Sequence, residues 1–234
     1  MKTAIFRLFI IAMVFMLLGM NTSCKKDKDQ PDNSTTQNVE RIALLLDYEA
    51  GYGGYIYPVY NPYVFFKNGT VVKSPYIPVD EINTGAVTKK VAANSGTWKQ
   101  TGDKVNIIWR NGDVSEKEWP GNNSIAAGKD EKLQGAFGSI SGGGDLAVGG
   151  SVGILSYSKM SFTSDGWFTN EKVAGGGNSS VTAYSKLTTA GKYNIDGYTL
   201  TLRFNNGDVK RLFFCFYGND KKVFRIAGRS YTKS

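Results

Sequence analysis

A repeated segment constrains the fold of this 234-residue chain more than any other feature. A shift of 95 residues aligns residues 95–114 with residues 190–209 without a gap. Both copies place a glycine, an aromatic residue, a second glycine and an alternating apolar run before the same ending, Asn-Gly-Asp-Val. This pattern predicts strand, turn, strand and an Asn-Gly hairpin turn of type I′ in each copy. A weaker match, at a shift of 97, relates residues 65–70 to residues 162–167. From the two matches together we expect a tandem duplication.

Apolar and polar residues alternate through much of the remaining chain, with hardly any helical periodicity. In the repeated strands, one alternating set is apolar and is expected on a packed face, whereas the other set faces water. The sequence therefore predicts an all-β fold, either an antiparallel up-and-down barrel or a flattened sandwich built from the internal duplication. The residues predicted on the packed face are Trp98, Val105, Ile107, Trp109, Tyr193, Leu200, Leu202 and Phe204.

Two halves of similar size follow from the duplication, at about 41–134 and 154–234 within a β domain spanning residues 41–234. Either half alone would have a thin core, so we expect the halves to close on each other around one shared interior. Two small β domains are the alternative. The predicted strands are 41–48, 55–66, 70–77, 95–100, 104–110 and 113–119 in the first half, and 154–163, 166–173, 190–195, 198–205, 208–217 and 222–227 in the second.

The stretch between the halves, residues 135–153, contains eight glycines. It lacks the spacing of a phosphate-binding loop, and no predicted helix follows it. We therefore expect a flexible connector, with a mobile lid over the barrel mouth as the functional alternative.

The repeated Gly-x-Trp/Tyr, hairpin and Asn-Gly-Asp segments are similar to the lipocalin-like, calycin-type β-barrels of many Bacteroidota lipoproteins. The resemblance covers about half of the chain, chiefly residues 95–119 and 154–231. It implies an up-and-down barrel whose interior accommodates a ligand, and it supplies no catalytic residue. More strands are predicted than the eight that are usual in this family, so a barrel with more than eight strands stays an alternative.

The first 23 residues are typical of a lipoprotein signal peptide. Basic residues precede an apolar run from Leu8 to Leu18 that is too short to span a bilayer, and small and polar residues follow up to Cys24. The ending Ser-Cys-Lys-Lys-Asp resembles that of Bacteroidota envelope lipoproteins, although Asn21 departs from the usual aliphatic residue. The resemblance implies acylation of Cys24, a flexible tether over residues 24–40, and a location in the cell envelope, anchored to the outer membrane by acyl chains and either periplasmic or surface-exposed.

The absence of histidine and the presence of only two cysteines narrow the chemistry of the chain. Triads that use imidazole, His-ligated zinc and multi-cysteine clusters are excluded, and no calcium-loop motif is present, so we expect no metal and no cofactor. The formal net charge of +8 comes from scattered lysines and arginines, and we expect no nucleic-acid partner for an exported protein. Cys215 lies in an aromatic run and is expected to be a small packed strand residue.

Carboxylate pairs are the remaining route to catalysis, because glycoside hydrolysis needs two carboxyl groups, one of them with a raised pKa. Pairs such as Asp80 with Glu81 and Glu116 with Glu118 lie in no apolar strand interior where burial would tune them. No catalytic residue is therefore predicted, and a carboxylate-based glycosidase is only the third functional hypothesis.

The densest aromatic patch of the chain lies between residues 48 and 66. Tyrosine rings there can stack on sugars or line the entrance of an apolar pocket, and the patch lacks the cations of a nucleic-acid platform. We expect a non-enzymatic binding module for a small apolar molecule or a glycan, with a structural or protein-interaction scaffold as the alternative. The candidate ligand contacts are Tyr52, Tyr55, Tyr57, Tyr60 and Tyr63.

Overall fold

The computed structural model describes residues 38–82, 89–119, 124–178, 180 and 182–234, without the side chains of Lys89 and Lys90. All of these residues belong to one compact unit. The predicted signal peptide, Cys24 and most of the predicted tether lie outside the described residues. Within the described part of the chain, no helix combines the length and the apolar character needed to cross a membrane.

Fourteen strands are present in the described residues, and each pairs antiparallel with its neighbours. The strands are β1 (Val39–Ala50), β2 (Ile56–Phe66), β3 (Thr70–Lys73), β4 (Ser95–Thr101), β5 (Lys104–Trp109), β6 (Val114–Glu118), β7 (Gly135–Gly144), β8 (Gly153–Phe162), β9 (Trp167–Gly177), β10 (Thr182–Asp196), β11 (Thr199–Phe204), β12 (Val209–Phe216), β13 (Val223–Ile226) and β14 (Arg229–Lys233). Short helical turns occupy Tyr52–Gly54, Val79–Glu81, Lys89–Ala92 and Leu146–Val148.

The second half of the chain forms a closed eight-stranded barrel, in which β7 to β14 follow chain order and β14 pairs with β7. The segment before β7 seals one end of the barrel. Ala127 forms a β-bridge with Gly197, and the backbone of Leu133 exchanges hydrogen bonds of 2.9 and 3.0 Å with the Tyr193 hydroxyl. The prediction of an all-β, up-and-down antiparallel barrel is confirmed.

The first half forms a separate six-stranded sheet, β1 to β6 in chain order, which curls so that β6 approaches β1. The Lys117 Nζ of β6 donates hydrogen bonds to the Leu46 carbonyl at 2.8 Å and to the Asp47 carboxylate at 2.7 Å. The expected single shared interior was therefore wrong, because each half curls around its own apolar cluster.

Three apolar clusters stabilise the unit. One fills the barrel, one lies on the inner face of the curled sheet, and one joins the outer face of the sheet to the outer wall of the barrel. The barrel cluster is Ala127, Leu133, Phe137, Met160, Phe162, Phe168, Tyr193, Ile195, Leu200, Leu202, Phe214, Phe216, Phe224, Ile226 and Tyr231. The sheet cluster is Ala43, Leu45, Tyr63, Phe65, Val71, Val105 and Ile107, with Trp98, Trp109 and Trp119 packed against it.

The third cluster depends on the alternation of side chains along β12. Phe214 and Phe216 point into the barrel, whereas Phe213 and Cys215 point outward and pack with Val64 and other residues of the sheet. Burial raises the pKa of the Cys215 thiol to about 12, despite the opposing charge of Arg225. Cys215 is thus a packed strand residue, as the sequence predicts.

The two copies of the repeat have equivalent backbone hydrogen bonds, although they lie in different sheets. The Trp98 amide donates to the Gly69 carbonyl at 2.8 Å, and the Tyr193 amide donates to the Gly166 carbonyl at the same distance. A β-carbon at Gly96 would lie 2.4 Å from the carbonyl oxygen of the facing strand, and one at Gly191 would lie 2.0 Å from it. The repeated glycines are therefore required by close contact between paired strands.

The repeated hairpins differ from the predicted type I′ turns. In the first copy Gly112 alone has positive φ, at 92°, and Asn111 does not. The Trp109 amide donates to the Asp113 carbonyl, and the Asp113 amide donates to the Asn111 side chain at 3.1 Å. The same bonds recur 95 residues later. Each loop is thus a three-residue turn with a glycine bulge, because the asparagine amide group binds the backbone beyond the glycine.

The predicted glycine-rich connector was wrong over Gly135–Gly144, which is strand β7 of the barrel. Strand β14 was not predicted either. These two strands pair with each other and close the barrel, and β7 also pairs with β8 along its whole length.

Candidate functional site

The β1–β2 hairpin projects its predicted tyrosines in different directions. Tyr63 is fully buried in the sheet cluster and does not belong to the surface of the protein. Tyr55, Tyr57 and Tyr60 are exposed along β2 and just before it, whereas Tyr52 lies in the hairpin turn, which contacts the barrel. The structure therefore separates the predicted set. The turn that carries Tyr52 packs on the barrel, the Tyr60 carbonyl accepts a hydrogen bond of 2.6 Å from the Tyr217 hydroxyl, and Tyr63 lies inside the sheet.

Glycines allow the hairpin turn to lie directly on the barrel. A β-carbon at Gly142 would lie 2.8 Å from the Tyr52 Cα, and one at Gly153 would lie 2.8 Å from the Tyr52 hydroxyl. On the hairpin side, a β-carbon at Gly54 would lie 2.7 Å from the Gly144 carbonyl oxygen. The glycine-rich sequence of β7 and its loop thus provides a side-chain-free surface on which the turn packs.

A groove of about 470 Å³ opens beside this contact, on the outer wall of the barrel. Tyr52 and Leu146 lie on one side of it, and Tyr184 of β10, which is 80% exposed, lies on the other. We call this feature the tyrosine groove. Its lining is Tyr52, Leu146, Ser151, Gly153, Leu155, Tyr157, Val173, Gly175, Gly176, Gly177, Asn178, Thr182, Ala183 and Tyr184.

Strand register explains why the tyrosine groove has a flat floor. Gly153 pairs with Gly177, and Leu155 pairs with Gly175, which in turn pairs with Tyr184. Paired residues present their side chains on the same face of a sheet, so the three glycines share the outer face of the wall with Leu155 and Tyr184. The result is partly exposed backbone flanked by tyrosines, which offer an apolar ring and a polar hydroxyl.

Sequence reasoning missed most of the tyrosine groove. Tyr157 and Tyr184 are distant in sequence from the predicted patch and come together with Tyr52 only through the barrel. The run Gly175-Gly176-Gly177 inside an alternating strand was an available signal, because glycine in a strand interior marks close approach of a ligand or another backbone.

Aromatic side chains occupy both apolar interiors in the part of the chain that the structure describes. Aromatic rings fill the sealed end of the barrel, where the Phe224 and Phe137 ring centroids lie 4.7 Å apart. In the sheet, the Trp98 and Trp119 rings stack at 5.7 Å. A second cavity of about 440 Å³ lies beside the start of β1 and contains none of the predicted tyrosines.

A buried carboxylate in the sheet also escaped the sequence analysis. Asp47 accepts hydrogen bonds from Asn61 at 3.0 Å, Tyr63 at 2.8 Å and Lys117 at 2.7 Å, and it pairs with Lys73 at 3.1 Å. Burial alone would raise the pKa of Asp47, but these donors and charges hold it below its ordinary value. A carboxylate with a lowered pKa is ionised at neutral pH, and one whose hydrogen bonds are already made is suited to a structural role and not to proton donation.

Three of the four carboxylates in the pairs named from the sequence, Asp80, Glu81 and Glu116, are engaged in ion pairs. Arg211 donates to Asp80 at 2.5 Å and to Glu81 at 2.6 Å, and Lys104 pairs with Glu116. Among the described residues, no group of three or more carboxylate or cysteine side chains is placed to hold a metal ion.

Comparison of the chain with protein-family models, with curated protein sequences and with solved structures returned no match. The lipocalin-like resemblance therefore stays a prediction, and functional inference rests on the geometry of the chain itself.

Proposed function

We propose that this protein is a lipid-anchored component of the bacterial cell envelope whose β domain is a non-enzymatic, glycan-binding module. The observation that supports this proposal is the tyrosine groove, a concave site with aromatic sides and a partly exposed backbone floor. A glycan is favoured over a small apolar molecule because aromatic rings already fill the apolar end of the barrel, around Phe137 and Phe224.

The chemistry of the tyrosine groove matches that of a sugar ring. The C–H face of a pyranose can stack on the rings of Tyr52, Tyr157 or Tyr184, and its hydroxyl groups can bind the tyrosine hydroxyls and glycine backbone. A sugar ring can lie flat against the glycines of the groove, because glycine has no side chain that would project into the site.

Replacement of Tyr184 by alanine is expected to weaken glycan binding about tenfold, because a stacked aromatic side of the site is lost. The full chain would first be screened on a glycan array, and the best oligosaccharide would then be titrated calorimetrically. Tyr48→Ala is the matched control, because Tyr48 is also exposed but does not line the groove. No hit on the array, or equal losses in both variants, would refute the proposal.

The anchor is a separate part of the proposal. Replacement of Cys24 by alanine is expected to release the protein from the membrane, because the acyl chains attached there supply the affinity for lipid. Detergent partitioning and the mass of the mature N-terminal peptide measure this directly. An unmodified Cys24 in membrane-bound protein would contradict it.

A protein-interaction scaffold is the second candidate, and one observation favours it. The face of the β1–β2 hairpin that carries Leu46, Tyr48 and Tyr60 is aromatic and exposed, with Leu46 opposite Tyr60 and Tyr48 opposite Pro58. An exposed apolar strip of this kind is typical of interaction surfaces. Glycan binding that is lost in Tyr48→Ala and kept in Tyr184→Ala would place the glycan site on this strip, whereas no glycan binding at all would leave the strip to a protein partner.

A further inference from the structure

Three cations face into the barrel above its aromatic core. Lys172 pairs with Ser158, whose hydroxyl lies 3.1 Å from the Tyr231 hydroxyl inside the barrel, so Lys172 shares that inward face. Arg229 is two residues from Tyr231 on β14 and reaches Ser156 at 3.4 Å. Inward-facing residues recur at every second position of a strand, which explains both placements.

Lys210 completes the set from the opposite side of the barrel. It pairs with Leu202, a member of the barrel cluster, and its Nζ lies 5.4 Å from the centre of the Phe204 ring. Burial lowers the pKa of Lys172, and the charges of Arg229 and Lys210 lower it further. The three charges are therefore near enough to repel one another.

No carboxylate of the described residues forms an ion pair with Lys172, Lys210 or Arg229. The neighbouring Glu171 points out of the barrel, where it pairs with Lys186 at 3.1 Å. Like charges gathered without counter-charges destabilise a folded chain, so this arrangement has a cost that a bound anion would offset.

A polar layer separates the cations from the aromatic core. The Ser158 hydroxyl donates to the Asn170 side chain at 3.0 Å and lies within hydrogen-bond distance of the Tyr231 hydroxyl. Below this layer the barrel is filled and sealed, whereas Lys172 and Lys210 are accessible to solvent. The cations thus form a cup with a polar floor, open at one end.

We propose that this cup binds a small, multiply charged oxyanion, a ligand that carries phosphate or several carboxylate groups. The Arg229 guanidinium offers a planar pair of donors that matches such groups, and two ammonium groups add charge from other strands. The site is distinct from the tyrosine groove, because its residues face into the barrel while the groove lies on the outer wall. The proposed anion binding therefore does not depend on the proposed glycan binding.

The test is calorimetric titration of the full chain with inorganic pyrophosphate and, separately, with citrate. We expect binding that weakens as sodium chloride is raised, and an about tenfold loss of affinity in each of Lys172→Met, Lys210→Met and Arg229→Met. Lys186→Met is the matched control, since it removes a charge from the outside of the same barrel wall. A response to one probe only identifies the phosphate or the carboxylate form of the ligand.

Thermal unfolding without ligand gives a second readout that a merely structural role would not produce. Removal of one repelling charge is expected to leave the melting temperature of Lys172→Met equal to or a few degrees above that of the wild type. Absence of binding by both probes in the wild type, or an equal loss in Lys186→Met, would overturn the proposal. A lower melting temperature in Lys172→Met would also contradict it, because the cations would then stabilise the fold.

Discussion

Replacement of Phe224 by alanine is expected to lower the free energy of unfolding by about 3–5 kcal/mol, the range typical of a large buried aromatic residue. Phe224 is fully buried at the centre of the barrel cluster. The lost side chain leaves a cavity that the surrounding rings cannot close, since each is held by its own strand. Its ring contacts Phe137, Phe162, Phe214, Phe216 and Tyr231.

Urea unfolding followed by circular dichroism and by tryptophan fluorescence measures this effect in both halves. Trp98, Trp109 and Trp119 pack in the curled sheet, so fluorescence mainly follows the half without the substitution. Because Phe213 and Cys215 join the two halves, we expect the two transitions to coincide and to shift together. Tyr184→Ala is the aromatic control and is expected to stay within about 0.5 kcal/mol of the wild type. A urea midpoint that shifts when followed by circular dichroism, but not when followed by fluorescence, would show that the halves unfold independently.

Replacement of Asp47 by alanine is expected to cost about 2–4 kcal/mol, because it removes the acceptor that Tyr63, Asn61 and Lys117 share. This loss of stability is smaller than the loss for a fully buried ion pair. The Lys117 and Lys73 side chains are 23% and 29% exposed, so water can solvate their charges when Asp47 is replaced. Glu116→Ala is the control: its ion pair with Lys104 is exposed to solvent, so its loss is expected to change the free energy of unfolding little.

The effect of Asp47→Ala is also expected to depend on pH in one direction. The pKa of Asp47 is lower in the folded protein than in the unfolded chain, so the unfolded state binds its proton first as pH falls. The stabilisation is therefore fully present above the unfolded pKa, about 3.9, and is lost as pH falls through the lower, folded pKa. The difference in stability between wild type and variant should narrow from pH 7 to pH 3, and a constant difference would contradict the assignment.

Local features of the fold could be predicted from the sequence, because they depend on neighbouring residues. The alternation that places Val105 and Ile107 inside one sheet, and Leu200 and Leu202 inside the other, is visible in both copies of the repeat, and all four are buried. The separation into a barrel and a sheet could not be predicted, because it depends on β7 and β14. Strand β7 is too rich in glycine to show alternation, although its pairing with β8 and β14 is regular.

The site could be predicted only in part, for a related reason. Tyr52 lies in an aromatic patch that is evident in the sequence, but its partners Tyr157 and Tyr184 reach it only through strand pairing across the barrel wall. Asp47 was missed because its partners come from β2, β3 and β6, and no local spacing relates them. Long-range pairing, and not local propensity, decides which of the polar and aromatic residues meet.

Hydrogen exchange of the full chain, with and without its best oligosaccharide from the array, tests the location of the binding site most directly. The tyrosine groove predicts slower exchange in the backbone of residues 51–54, 153–157, 173–178 and 182–184, which line the groove or belong to the strands beside it. Residues 104–109 of the sheet serve as the internal reference and are expected to be unchanged. Slower exchange confined to the sheet, or absent from these groove segments, would contradict the assignment of the groove as the glycan site.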